Sequence, residues 1–158
     1  MTGRQKILPV FSLGPKIGND YFWLIDGQPD FAIIPAGTLD RFAKDMPIRL
    51  PDGDTKYGAM HISKKHRNWI FKQQKHGCVA TLVHRKLSQP GRIHTTESTN
   101  KLSLMMRLAP EAFMVLKVMP DCLSITTLYL KQKPTDGVEI AKYLGGLWAT
   151  TPYKPKPL

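Results

Sequence analysis

The spacing of hydrophobic residues changes along the chain, and this change predicts helices followed by strands. Between residue 63 and about residue 74 apolar side chains recur at helical spacing, and Ser63 is the predicted N-cap. A second helix is predicted from Val79 to Leu87, where the apolar residues share one face before Pro90 ends the run. After this point the spacing becomes two residues, as in strands. The predicted strands are Arg92–Thr96, Leu102–Leu108, Phe113–Met119 and Leu123–Leu130.

This alternation gives the first three predicted strands two different faces. One face is apolar and suits packing against the helices, whereas the other carries cations at His94, Arg107 and Lys117. Either face of the fourth strand could pack. We therefore predict an α+β fold in which two helices pack on a four-stranded antiparallel sheet.

Two further segments flank this predicted core, which spans residues 55–131. Residues 1–54 alternate short apolar stretches with Gly, Pro and Asp, which predicts an N-terminal extension of short strands that forms a covering layer. Within it, a short helix is predicted from Thr38 to Met46, with Pro47 ending it. Residues 132–158 are predicted to form a short C-terminal helix, with apolar positions from Val138 to Leu144, and a basic Pro-rich tail.

The net charge of +11 and the isoelectric point near 9.8 favour a polyanionic partner such as a nucleic acid. No apolar run is long enough to span a membrane, so we expect a soluble, cytoplasmic protein without a membrane partner. The two cysteines, Cys78 and Cys122, have no metal-site spacing and are predicted to be reduced and buried.

The basic character is concentrated in one interval. No acidic residue occurs between Asp54 and Glu97, yet this interval contains all five histidines of the chain. Histidine supplies a base near neutral pH, and Lys or Arg can stabilise a phosphorane. A nuclease that uses two metal ions would need converging carboxylates, which the interval lacks, and the histidines do not have the usual zinc spacing. We therefore predict phosphodiester chemistry without a cofactor or metal ion.

The succession of MHISKKH, a helix closing with KLSQPGRIH, and strands ending in VLKVMPDCLSITTLYL resembles a known nuclease group. This group is the phage-associated branch of the superfamily that joins barnase, EndoU, the tRNase colicins and RelE. The resemblance covers about residues 56–131. It implies a toxin-like endoribonuclease in which the ribose 2′-hydroxyl attacks the phosphate and a 2′,3′-cyclic phosphate remains.

By matching position, the resemblance and the basic pattern together give the candidate site residues. The catalytic candidates are His61, His66, Lys117 and Thr127. The substrate-binding candidates are Lys64, Lys65, Arg67, Arg107 and Tyr129. The implied partners are RNA, either tRNA or mRNA, and an immunity, antitoxin or host protein. The implied setting is a bacterial host cell, with the protein encoded by a phage or delivered by its virion.

Simpler interpretations of the same residues remain open. His66 lies on an apolar stripe and suits a core histidine equally well, and Arg107 and Lys117 suit a solvated sheet face. Thr127 is an ordinary strand residue. Two functions without catalysis also fit. The chain could be a nucleic-acid-binding protein that stacks bases on Tyr57, Trp69 and Phe71, or a small phage inhibitor of a host protein.

Overall fold

The computed structural model describes residues 9–38, 43–64, 79–95, 103–108, 112–129, 139–143 and 145. The described residues contain nine strands and two helical segments. The helical segments are α1, of which residues 58–64 are described, and α2, Val79–Leu87. The strands before them are β1 Phe11–Ile17, β2 Asp20–Ile25, β3 Ala32–Ile34 and β4 Met46–Arg49. The strands after them are β5 Gly91–Thr95, β6 Ser103–Leu108, β7 Ala112–Val118, β8 Leu123–Tyr129 and β9 Glu139–Tyr143.

Seven of these strands form one sheet in the order β3-β4-β8-β7-β6-β5-β9. Strands β4 and β8 are parallel, and the other neighbours are antiparallel. Strands β1 and β2 form a separate hairpin. The backbone amide of Trp23 donates to the Leu50 carbonyl at 2.9 Å, and that of Asp52 donates to the Tyr21 carbonyl at 2.7 Å. The hairpin is thereby attached to the chain that continues from β4.

The predicted fold class is wrong, because the sheet has seven strands and not four. Strands β3 and β4 come from the segment predicted to be a covering layer, and both are too short to show a clear period. Pro47 does not end a helix but lies in β4 opposite Ile33. It is tolerated there because β8 pairs with β4 only at Ile48 and Arg49. Of the helix predicted over residues 38–46, residues 39–42 lie outside the described residues, and Met46 begins a strand.

The C-terminal helix predicted around residues 138–144 is also wrong. This segment contains β9, which pairs with β5 at the end of the sheet. The ring of Tyr143 is buried, and its hydroxyl donates to the Leu87 carbonyl at the end of α2. A run this short fits a strand period as well as a helical one, so its packing decides its structure.

Helix α1 begins at residue 58 and not at the predicted cap, Ser63. Its first amides are satisfied by the preceding loop, since Ala59 donates to the Pro51 carbonyl and Met60 to the Asp52 carbonyl, both at 2.9 Å. His61 is therefore a helical residue and does not lie in an extended entry strand, as the position of the predicted cap implied.

The core lies between the helices and one face of the sheet. The predicted helix from Val79 to Leu87 is confirmed, and Leu82 and Leu87 are fully buried. Leu104 and Met114 are buried with them, as the period-two pattern predicts. The cationic positions of β5, β6 and β7 therefore lie on the opposite face. No helix in the described part of the chain is long and apolar enough to cross a membrane.

Candidate functional site

A cleft of about 570 Å³ joins the tip of the β1–β2 hairpin to the sheet. One side is formed by residues 17–20 at the hairpin turn, together with Phe22 and Tyr57. The other side is formed by the ends of two neighbouring strands, with Lys117 on β7, Met119 directly after β7, and Ser124 and Thr126 on β8. The cleft thus combines an aromatic and acidic side with a side that carries a cation and hydroxyl groups.

The cationic side is built by the pairing of β7 with β8. Lys117 is exposed and lies directly opposite Ser124, which lines the cleft although only 7% of its surface is exposed. The register shifts between Val115 and Leu116, so Thr126 is an extra residue in a β-bulge, and its side chain lines the cleft. An ammonium group beside two hydroxyl groups provides the donors that a phosphate requires.

The acidic side is held by a hydrogen bond from the Tyr57 hydroxyl to the Asp20 carboxylate. This bond, with burial and the negative charges of Asp20 and Asp54, raises the pKa of Tyr57 to about 12. Tyr57 is consequently a neutral phenol near pH 7, and one carboxylate oxygen of Asp20 is occupied. The contact ties the loop before α1 to the hairpin turn.

His61 lies one turn into α1, directly after the loop that carries Tyr57, and it is not among the residues that line the cleft. Its Nδ1 is 2.9 Å from the Thr55 carbonyl oxygen. A carbonyl only accepts, so in the neutral ring Nδ1 carries the hydrogen and Nε2 keeps its lone pair. This tautomer leaves Nε2 able to accept a proton, as a general base must.

Besides His61 and Lys117, the other two predicted catalytic residues are His66 and Thr127, of which the structure describes only Thr127. His66 lies outside the described residues. Thr127 is on the same sheet face as Lys117, since it is opposite Val115 on the neighbouring strand, two residues along from Lys117. It is buried, with 6% of its surface exposed, and its Oγ1 has no hydrogen-bond partner. Thr127 therefore lies beside the cleft and does not line it.

The predicted substrate-binding residues are divided between two places. Lys64 is exposed on α1, whereas Lys65 and Arg67 lie outside the described residues. Arg107 and Tyr129 flank Phe113 in a row across β6, β7 and β8. The guanidinium carbon of Arg107 lies 5.7 Å from the Phe113 ring centre, and the rings of Phe113 and Tyr129 are 6.1 Å apart.

This aromatic row is separate from the cleft. Phe113 and Lys117 are four residues apart on β7, which corresponds to about 13 Å along a strand. Phe113 is also buried, with 4% of its surface exposed, so its ring is not an open stacking surface. Arg107 and Tyr129 are therefore not brought together with Lys117.

The sequence reasoning missed most of the cleft residues, including three on which the chemistry of the cleft depends: Asp20, Ser124 and Thr126. Asp20 is 37 residues from Tyr57, and no local pattern indicates their contact. Ser124 and Thr126 lie on the strand whose faces the alternation left ambiguous, and a bulge cannot be read from that alternation.

No family model, curated protein or solved structure matches the chain. Within the described ranges, no group of three or more His, Cys, Asp or Glu side chains is arranged to hold a metal ion.

Proposed function

We propose that the protein is an endoribonuclease that cleaves RNA without a metal ion and leaves a 2′,3′-cyclic phosphate. The observation that carries this proposal is the placement of Lys117 with Ser124 and Thr126 in one cleft. The loop that closes the cleft leads directly into α1 and His61. The strongly basic interval of the sequence supports a polyanionic substrate.

The attack of the 2′-hydroxyl and the stabilisation of the phosphorane each have a candidate group. The 2′-oxygen forms a bond to phosphorus while the bond from phosphorus to the 5′-oxygen breaks. His61 Nε2 accepts the 2′-hydroxyl proton, and a protonated group or water returns a proton to the 5′-oxygen. Lys117 and the hydroxyls of Ser124 and Thr126 stabilise the extra negative charge on the phosphorane. Thr127 is adjacent on β8, but its hydroxyl does not line the cleft.

We further propose that the chain belongs to the phage-associated branch of the barnase, EndoU, colicin and RelE superfamily. Helix α1, helix α2 and the antiparallel strands β5, β6, β7 and β8 follow one another in the order that this resemblance requires. The larger sheet adds β3, β4 and β9 around them. The proposed setting is the cytoplasm of a bacterial host, with tRNA or mRNA as substrate and an immunity, antitoxin or host protein as partner.

A second candidate is RNA binding without catalysis. It is favoured by a row of cations on three neighbouring strands, where Lys142, Arg92 and Arg107 are opposite one another. Arg92 also forms an ion pair with Glu139 at 3.5 Å. Such a row suits a phosphate backbone, and binding through it would weaken steeply with salt.

The test is cleavage of total bacterial RNA by purified protein in EDTA, with mass spectrometry of the new ends. We expect 2′,3′-cyclic phosphates, and a loss of about 10²- to 10³-fold in rate for Lys117→Ala, as for other groups that stabilise a transition-state charge. The matched control is Lys142→Ala, which removes the same charge from an exposed position on β9. It lies three strands away from β7, or about 14 Å, and should change the rate by about twofold or less.

Products with 5′-phosphate ends, or activity that requires a divalent cation, would contradict the proposal. Equal rates for Lys117→Ala and Lys142→Ala would show that the cleft is not the site. RNA binding that weakens more with Lys142→Ala than with Lys117→Ala, without cleavage, would favour the second candidate.

A further inference from the structure

The cleft has a second end whose chemistry does not suit phosphate. Its lining away from the large sheet includes the hairpin residues Ile17, Asp20 and Phe22 and Tyr57 in the loop before α1. A carboxylate repels phosphate, whereas an aromatic ring beside apolar side chains suits the face of a nucleobase. The cleft is therefore polarised, with a phosphate end on the sheet and a base end at the hairpin.

The dimensions fit one nucleotide. A volume of about 570 Å³ is in the range of cavities that enclose small molecules, about 300–1,000 Å³. A base in a duplex has its pairing edge occupied by its partner, whereas an unpaired base can enter a cavity and present that edge. An unpaired nucleotide in RNA is thus the form that matches the cleft.

The Asp20 carboxylate has one oxygen that is hydrogen-bonded to Tyr57 and one that remains as an acceptor for a ligand. One oxygen accepts the hydrogen bond from Tyr57, which stays protonated because its pKa is raised to about 12. The other oxygen is an acceptor and cannot donate, so a base must offer a donor to it. The hydrogen bond from Tyr57 also fixes the orientation of the carboxylate, which is required if the carboxylate is to recognise the hydrogen-bonding edge of a base.

We propose that the base end of the cleft binds an unpaired nucleotide and that Asp20 selects adenine, cytosine and guanine over uracil. The three favoured bases carry an exocyclic amino group that can donate to a carboxylate. Uracil offers one ring N–H between two carbonyl oxygens, and these oxygens repel the carboxylate. This inference rests on the proposed function for the nature of the ligand, but it concerns binding and does not require cleavage.

The test is calorimetric titration of the full-length protein with the four nucleoside 3′-monophosphates. We expect uridine 3′-monophosphate to bind at least about tenfold more weakly than the other three, because a hydrogen bond to a charged acceptor is replaced by repulsion. Purine riboside 3′-monophosphate, which lacks the amino group of adenosine, should bind about tenfold more weakly than adenosine 3′-monophosphate. This comparison uses the unaltered protein and does not depend on the folding of a variant.

Substitution then assigns the selectivity to one residue. Asp20→Asn introduces an amide that both donates and accepts, so uridine 3′-monophosphate should bind within about threefold of the cytidine compound. The matched control is Asp54→Asn, which removes the same charge near Tyr57 but at an exposed position outside the cleft. This control should keep the preference of the unaltered protein.

Equal affinity of the unaltered protein for all four nucleotides, or no binding of any of them, would overturn the inference. Loss of selectivity in both variants would also overturn it. The endoribonuclease proposal and the base-selection proposal can be refuted independently. Selective nucleotide binding without RNA cleavage removes the endoribonuclease proposal alone, whereas cleavage without base preference removes only the role of Asp20.

Discussion

Tyr57 donates its phenolic hydrogen to the carboxylate of Asp20, a residue 37 positions earlier in the chain. The bond joins the loop before α1 to the tip of the β1–β2 hairpin, and both residues line the cleft. The hairpin is not part of the large sheet, so this contact helps to define where its tip lies. The shape of the cleft therefore depends on a pair of side chains that are distant in sequence.

The first prediction concerns the titration of Tyr57. Its hydrogen bond to Asp20 raises its pKa to about 12, whereas a free tyrosine titrates near 10. The folded state therefore favours the protonated phenol. The resulting stability is present below pH 10 and is lost as the pH rises through 12. The difference in ultraviolet absorbance between the unaltered protein and Tyr57→Phe should show a phenolate that appears near pH 12.

Asp20→Asn removes both the charged acceptor and the nearby negative charge, so the Tyr57 transition should move toward pH 10. Asp54→Asn should move it less, because Asp54 contributes through its charge alone and is the last of the causes. A transition that stays near pH 12 in Asp20→Asn would show that the pair does not form in solution.

The second prediction compares two glycines, both of which have a left-handed backbone conformation. A Cβ atom at Gly53, where φ is +67°, would lie 2.0 Å from the Tyr57 carbonyl oxygen, whereas at Gly18, with φ of +66°, nothing lies within 4 Å. Gly18→Ala should cost about 1–2 kcal/mol from backbone strain. Gly53→Ala should cost about 2–5 kcal/mol, because the clash adds to the strain.

Chemical denaturation of the two variants measures this difference. The clash at Gly53 would also displace the Tyr57 carbonyl, which accepts from the Asp54 amide at 3.0 Å. Gly53→Ala should therefore lower nucleotide binding as well as stability. Gly18 lines the cleft, so the control for binding is Gly27→Ala, at a glycine with φ of +83°, nothing within 4 Å and a position outside the cleft lining; this variant should lower stability alone. Equal costs for the two variants would mean that the loop can relax around the added methyl group.

The parts of the fold that sequence could predict are those with long, regular patterns. Helix α2 has an apolar stripe over nine residues, and β6 and β7 alternate over six and seven residues. The alternation correctly placed Lys117 on the face opposite the core. These features depend on local spacing, which the chain displays directly.

The remaining features depend on distant contacts. Pro47 suggested a helix end, but its pairing with Ile33 makes it a strand residue. The start of α1 was misplaced because loop carbonyls, and not the Ser63 side chain, satisfy its first amides. Asp20 was missed because its role depends on Tyr57, and Thr126 because a bulge depends on the register of a partner strand.

The third prediction concerns stability in mild acid. His84 on α2 is half-buried, and its ring centre lies 5.8 Å from that of Phe11 on β1. Burial lowers the pKa of His84 below its usual 6.5, although the nearby charge of Asp26 acts in the opposite direction. Below pH 6.5 the unfolded chain therefore binds a proton more readily than the folded one. Stability from the neutral ring is present above pH 6.5 and is lost as the pH falls through the folded pKa.

Unfolding midpoints measured between pH 5 and pH 8 should show this loss in the unaltered protein. The substitution His84→Gln removes the titrating group, so the variant should be less stable at pH 8 but lose less stability on acidification. An identical pH dependence in the two proteins would show that another group causes the acid sensitivity.

The last prediction concerns His61 as the general base. The Thr55 carbonyl holds its Nδ1 hydrogen, so Nε2 is the atom that accepts the 2′-hydroxyl proton. Loss of general acid–base catalysis typically costs about 10²- to 10⁴-fold, so His61→Ala should lower the RNA cleavage rate by at least about a hundredfold. The sequence gives the same expectation for His66, which lies outside the described residues. The control is His84→Gln, because the ring of His84 packs on Phe11 and His84 is on α2, whereas the loop that lines the cleft leads into α1. Single-turnover cleavage at saturating protein separates chemistry from binding, so His61→Ala should bind RNA normally and cleave it slowly. Normal cleavage by His61→Ala together with slow cleavage by His66→Ala would assign the base to His66.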